Sequence, residues 1–75
     1  MEQDRYLKLV RELQDWCMGA VGYGSFAPYL GMSTLECYTL LARNGLADIS
    51  GKAMGETTPQ DVINLVLLSG SVRLP

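Results

Sequence analysis

The first twenty residues carry apolar side chains at a helical period. Their spacing of three, four and seven residues places them in one stripe along a helix over residues 4–20. The stripe consists of Tyr6, Leu9, Val10, Leu13, Trp16, Cys17 and Ala20. The opposite side of this helix carries charges, at Arg5, Lys8, Arg11, Glu12 and Asp15. A cluster of glycines from residue 19 onward predicts that the helix ends there.

The middle of the chain predicts a sharp corner between two helices. A short helix over residues 26–30, capped by Ser25, ends at Gly31, which turns the chain. Ser33 or Thr34 then caps a second helix that carries apolar residues at helical spacing. An Asn-Gly pair supplies the left-handed residue, Gly45, that closes this second helix.

The last third of the chain is less regular until a final helix begins. Between residues 47 and 57 the pattern weakens, and one further turn near Ile49 is predicted. Residues 58–61 read Thr-Pro-Gln-Asp, a strong helix start. Residues 62–68 are apolar on nearly every side, which predicts a helix buried all round, either centrally or against a second subunit. Their β-branched content keeps a strand open as the alternative. Residues 71–75 form a tail.

These segments predict an all-α fold. The chain is expected to form a single domain over residues 1–70, a bundle of about four helices with a helix-turn-helix-like corner. Its predicted core consists of Leu13, Trp16, Leu30, Cys37, Leu40, Leu41, Ile63 and Val66.

Composition adds a second expectation, a contact surface for another protein. Of the 75 residues, 48% are hydrophobic and only 19% are charged, compared with roughly 25% charged in ordinary domains. A small domain cannot bury all of its apolar surface, so part of it should face outward. We therefore expect a homo-oligomer or a protein partner. The contact is expected at Leu35 and Tyr38, or on the 62–68 helix with Leu67.

The residue types give little support to catalysis or to a metal site. The chain has no histidine, and its two cysteines lie in apolar helical contexts, where cysteine behaves as a small hydrophobe. We therefore expect no enzyme, cofactor, metal or small-molecule ligand. The charged N-terminus and the short apolar runs also predict no signal peptide and no membrane span, hence a cytoplasmic protein.

About twenty residues at the corner resemble the generic helix-turn-helix of small bacterial and phage regulators. That motif places a small residue, a leucine, a glycine and further apolar residues at fixed spacing. The matching positions here are Ala27, Leu30, Gly31, Met32, Ser33, Cys37 and Leu40. The resemblance implies that the second helix would enter the major groove of DNA.

The charges disfavour this alternative function. Lys and Arg together number 6, and the formal net charge is −2. No Arg, Lys, Asn or Gln stands among the positions that would face bases, and Glu36 would repel phosphate. The alternative DNA interface would use Ser33, Thr34 and Thr39 toward bases and Arg5, Lys8, Arg11 and Arg43 toward phosphates.

A second, fainter similarity implies no particular function or site. The run from Glu36 to Leu41, continued by Gly45-Leu46-Ala47-Asp48-Ile49, is similar to some short uncharacterised bacterial domains. The preferred hypothesis is therefore a small, self-associating helical interaction or regulatory module. The alternative is a helix-turn-helix DNA-binding transcription regulator.

Overall fold

The computed structural model describes residues 2–69, and the predicted tail at 71–75 lies outside this range. The all-α prediction is confirmed, and no β-strand occurs in the described residues. Three α-helices are present, however, and two single 3₁₀ turns take the place of a fourth helix. In chain order the elements are α1 (Glu2–Cys17), the first 3₁₀ turn (Tyr23–Ser25), the second 3₁₀ turn (Ala27–Leu30), α2 (Thr34–Arg43) and α3 (Pro59–Ser69).

Helix α1 contributes the middle of the predicted stripe to the core. Leu9, Leu13 and Trp16 are fully buried, whereas Tyr6 and Ala20 at the two ends of the stripe are exposed. The helix ends three residues before the predicted end. Gly19 has a φ of 81°, a left-handed conformation that ends an α-helix at low steric cost.

The short helix predicted over residues 26–30 is instead the second 3₁₀ turn, which begins at Ala27. The predicted cap at Ser25 is wrong. Ser25 lies inside the first 3₁₀ turn, and its buried hydroxyl oxygen has no hydrogen-bond partner. The cause is Phe26, whose ring is fully buried and packs edge-on against Trp16, with the ring centroids 5.3 Å apart. With the Phe26 side chain held in the core, the chain forms the two 3₁₀ turns in place of a regular helix start.

One apolar core joins all of these elements. Of the eight predicted core residues, seven are buried, whereas Leu40 is only half-buried on the side of α2. Leu9, Phe26 and Val62 are fully buried although they were outside the predicted set. The buried side chains are Leu9, Leu13, Trp16, Phe26, Ala27, Leu30, Met32, Cys37, Leu41, Ala47, Val62, Ile63 and Val66.

Residues 62–68 form a helix, not a strand, and a single chain buries one side of it through Val62, Ile63 and Val66. Its start is capped as predicted, because the Thr58 hydroxyl accepts a hydrogen bond from the Asp61 amide and the Asp61 carboxylate accepts one from the Thr58 amide. Helix α3 packs against α1 on one side. On its other side Leu67 and Leu68 are 55% and 87% exposed, so central burial of this helix is wrong.

The segment between α2 and α3 folds into a tight loop, not the extra helical turn predicted near Ile49. An isolated antiparallel bridge pairs Ala47 with Ala53. At the base of the loop, the indole N–H of Trp16 donates to the Gly51 carbonyl at 2.9 Å. Gly51 is buried against the ring of Tyr23 and has a φ of 86°. This glycine therefore meets two constraints at once, a left-handed backbone and a close ring contact.

Within residues 2–69, no helix combines the length and the apolar composition that crossing a lipid bilayer requires. The longest helix, α1, has 16 residues and a charged side. The most apolar one, α3, has 11 residues, which is about half of what a bilayer span needs.

We predict that Gly51→Ala destabilises the fold more than Gly45→Ala does. Both glycines have a positive φ, which costs a non-glycine residue about 1–2 kcal/mol. A methyl group at Gly45 would meet nothing within 4 Å, whereas one at Gly51 would overlap the Tyr23 ring. Overpacking of this kind adds about 1–3 kcal/mol. Urea unfolding of both variants measures the difference, and equal losses would contradict this account of Gly51.

Candidate interaction surface

Helix α2 is fixed at its N-terminus by a reciprocal cap. The Ser33 hydroxyl accepts a hydrogen bond from the Glu36 amide at 3.1 Å, and the Glu36 carboxylate accepts one from the Ser33 amide at 3.2 Å. Of the two predicted caps, Ser33 is the one that the structure shows, and Thr34 is the first residue of the helix. The preceding Gly31 has a φ of 69°, as the predicted turn requires.

The C-terminus of α2 is also capped by hydrogen bonds. Asn44 donates a side-chain hydrogen bond to the Leu40 carbonyl at 2.8 Å. Gly45 is left-handed, as predicted, and the amide of Leu46 returns to the Leu41 carbonyl at 2.9 Å. The ten residues of α2 are therefore held in one register, and their outward side chains have defined positions.

The outer side of α2 carries no charge along its middle. Cys37 and Leu41 face the core. On the opposite side, Leu35 is 72% exposed, and Thr39 and Ala42 lie half-buried along the same side. These three residues follow the spacing i, i+4, i+7, which forms a continuous strip on a helix. We call Leu35, Thr39 and Ala42 the α2 strip.

Tyr38 borders the α2 strip and ties it to the loop after α2. Its hydroxyl donates to the Ile49 carbonyl at 3.1 Å, and its ring lies 5.6 Å from the ring of Tyr23. Tyr38 is half-buried. It is therefore held in place inside the molecule and contributes one edge of its ring to the surface.

The structure adds Ile49 to this surface, which the sequence interpretation had placed in a helical turn. Its side chain is 93% exposed at the tip of the loop. The loop is stiff, because one oxygen of the Asp48 carboxylate accepts hydrogen bonds from the Ser50 amide, the Ser50 hydroxyl and the Lys52 amide, at 2.6–3.0 Å. The Asp-x-Ser-Gly order is a turn signal in the sequence, but exposure of the isoleucine depends on Tyr38 and Trp16.

Beside the α2 strip lies a shallow depression of about 380 Å³, lined by Met32, Leu35, Glu36 and Thr39. Its floor is the buried side chain of Met32 and its rim includes the Glu36 carboxylate. The surface therefore combines an apolar strip with one acidic group at its edge.

Leu67, the predicted contact residue of the 62–68 helix, lies on α3. It is exposed beside Leu68, on the side of α3 that faces away from the core. Helix α3 packs against α1. Leu67 therefore lies on a different helix from Leu35 and Tyr38, which belong to α2.

The basic residues of the alternative DNA interface are exposed on two helices. Arg5, Lys8 and Arg11 lie on α1, and Arg43 lies in the last turn of α2. The Arg5 guanidinium donates to the Pro28 carbonyl at 3.2 Å, which brings the α1 charges next to the second 3₁₀ turn.

The polar residues of the same interface lie along α2. Ser33 and Thr34 are exposed at its start, and Thr39 is half-buried in the α2 strip. The Ser33 hydroxyl is engaged in the helix cap.

Both cysteines are free thiols. Burial raises the pKa of Cys37 to about 11. Burial also raises the pKa of Cys17, and the nearby Asp61 carboxylate adds to this effect. Both thiols are therefore protonated at neutral pH. In the described part of the chain, no three His, Cys, Asp or Glu side chains come together in a way that could hold a metal ion.

Comparison with known proteins returned no relatives: no protein-family model matches the chain, and neither a curated protein nor a solved structure matches it significantly. Functional inference therefore rests on the surface geometry described above.

We predict that Asp48→Asn lowers the thermal midpoint at pH 7 and that its effect fades in acid. Hydrogen bonds from Ser50, followed by the Lys52 amide, hold the pKa of the Asp48 carboxyl below its ordinary value. A lowered pKa stabilises the fold above the unfolded pKa of about 4, and this contribution is lost as the pH falls through the folded pKa.

Thermal melts of both proteins between pH 7 and pH 2 test this expectation. Glu56→Gln, which neutralises another exposed carboxylate between α2 and α3, serves as the control. A difference between wild type and Asp48→Asn that stays constant over the whole pH range would contradict the assigned role of the charge.

Proposed function

We propose that this protein is a small, non-enzymatic helical interaction or regulatory module that associates with copies of itself through α2. The observation that carries the proposal is the α2 strip, an uncharged row of side chains on a helix that is capped at both ends. Leu35 alone leaves most of a large apolar side chain in water, and covering apolar surface is worth about 25 cal/mol per Å².

The rigidity of the surroundings supports this surface as a binding site. The loop that displays Ile49 is held by the Asp48 carboxylate and by the hydroxyl of Tyr38. Immobilising a flexible loop on binding costs free energy, and a loop that is already ordered avoids most of this cost. An exposed isoleucine on a stiff loop is therefore a favourable contact residue.

A cytoplasmic location belongs to the same proposal. Cys17 and Cys37 are free thiols, and unpaired cysteines are typical of reducing compartments.

We predict that Leu35→Glu weakens self-association, whereas Leu67→Glu leaves it unchanged. Both substitutions replace an exposed leucine of a helix with a glutamate, so their effects on solubility and net charge are matched. Only Leu35 lies on the α2 strip, where an unpaired charge would be buried on association. Sedimentation velocity over a range of protein concentrations measures the effect.

Two outcomes would contradict the proposal. Wild-type protein that stays monomeric at the highest concentration would exclude self-association. Loss of association in Leu67→Glu but not in Leu35→Glu would assign the contact to α3.

The alternative proposal, a DNA-binding regulator, is supported by one contact. The hydrogen bond from Arg5 to the Pro28 carbonyl places the basic residues of α1 next to the corner that leads into α2. In this alternative Lys8, Arg11 and Arg43 would neutralise phosphates. Glu36 at the start of α2 opposes it, since its carboxylate would face the DNA backbone.

We predict no binding to a labelled random-sequence DNA duplex at low salt, because the chain carries a net charge of −2 and few basic groups. Fluorescence anisotropy measures this directly. Binding that falls steeply with added salt, and that is lost in Lys8→Glu and Arg11→Glu, would favour the regulator instead.

A further inference from the structure

Two opposite charges flank the α2 strip on the same side. Glu36 stands in the first turn of α2 and Arg43 in the last, and both are exposed. Seven residues are nearly two helical turns, so the two side chains lie on one flank, about 10 Å apart along the axis. The flank is therefore acidic at one end and basic at the other.

The side chains of the α2 strip also differ in size from one end to the other. Leu35, a large and exposed side chain, lies toward the N-terminal end, and Ala42 lies toward the C-terminal end. Thr39, of middle size, lies between them. A surface that is large and acidic at one end and small and basic at the other is complementary to itself when turned end to end.

We propose that the self-association suggested above is an antiparallel pairing of α2 with α2 of a second copy about a two-fold axis. In this arrangement Leu35 packs over Ala42 of the second copy. Each Glu36 carboxylate lies beside the Arg43 guanidinium of the second copy, so symmetry produces two ion pairs. The inference rests on the proposed function and specifies its geometry.

The opposite orientation is disfavoured by the same residues. A parallel pairing about a two-fold axis along the helices would place the two Glu36 side chains on opposite sides of the helix pair, and the two Arg43 side chains likewise. Neither group would then meet an opposite charge of the second copy, so that arrangement lacks both ion pairs. It would also oppose Leu35 to Leu35 and Ala42 to Ala42, which leaves a gap at one end of the helix pair.

The depression next to the strip fits the arginine of a second copy. It lies between Met32, Thr39 and Glu36, with a volume of about 380 Å³. An arginine that reaches Glu36 from a facing helix would lay its aliphatic stem on the apolar floor and keep its charged end at the rim. Glu36 can serve both contacts, since its cap uses one carboxylate oxygen and the second remains to accept a bond.

The helix pair alone is small for a protein interface. Ten residues on each side bury less than the roughly 800 Å² per partner of a standard interface. Ile49, held beside Tyr38, extends the contact beyond the helix. We therefore expect a weak dimer whose population rises with concentration and falls with added salt.

Charge reversal and complementation test the pairing. Glu36→Lys and Arg43→Glu, each alone, place like charges opposite each other twice in the dimer and should weaken self-association by about tenfold or more. An equimolar mixture of the two variants restores both opposite-charge pairs in the heterodimer. The double variant, Glu36→Lys with Arg43→Glu, restores them in the homodimer. Both should dimerise again in sedimentation velocity.

Complementation separates pairing from folding defects. Glu36→Lys also loses half of the helix cap, but mixing cannot repair a monomer that is unfolded. Circular dichroism melts of each variant at low concentration show how much monomer stability each substitution costs.

Each remaining outcome has a defined meaning. If Leu35→Glu abolishes association but the mixed variants do not recover it, the antiparallel pairing is wrong and the interaction module stands. If Glu36→Lys and Arg43→Glu each self-associate as strongly as wild type does, these charges do not meet across the interface and the antiparallel pairing is overturned. If wild type does not associate at all, the proposed function fails together with the pairing.

Discussion

The hydrogen bond between the Trp16 indole and the Gly51 carbonyl connects two parts of the chain that are 35 residues apart. A buried indole N–H is costly without an acceptor, so the loop after α2 is drawn onto the core at this point. Gly51 accepts the close approach of Tyr23, which a side chain would prevent. The position of the whole loop therefore depends on one donor in α1 and on one residue that lacks a Cβ.

The surface next to the outer side of α2 depends on this anchored loop. With Gly51 anchored, the Asp48 carboxylate collects three hydrogen bonds at the loop tip, and the Ile49 carbonyl meets the hydroxyl of Tyr38. Leu35 on the helix and Ile49 on the loop are both exposed, and Tyr38 links the helix to the loop. Two caps fix the helix at its ends and Tyr38 fixes its side. This is the rigidity that the proposed contact with a second copy requires.

The two functional hypotheses compete for the same side of one helix. In a helix-turn-helix regulator, the outer side of α2 would lie in the major groove. In the proposed dimer, the same side is covered by a second copy, and Glu36 and Arg43 are paired across the interface. A dimer of this type would have no free α2 for DNA. The charge of Glu36, which opposes phosphate, is the feature that makes the protein–protein pairing specific.

The sequence by itself determined those features that depend on neighbours in the chain. The middle of the apolar stripe of α1, the caps at Ser33 and Thr58 and the left-handed Gly45 follow from local periodicity and local hydrogen bonding, and they agree with the structure. The tertiary structure alone decided which sides are covered. The ring of Phe26 packs against Trp16, and α3 packs against α1 on a side that leaves Leu67 exposed. Periodicity records which residues share a side of a helix; whether another element covers that side depends on contacts between distant segments.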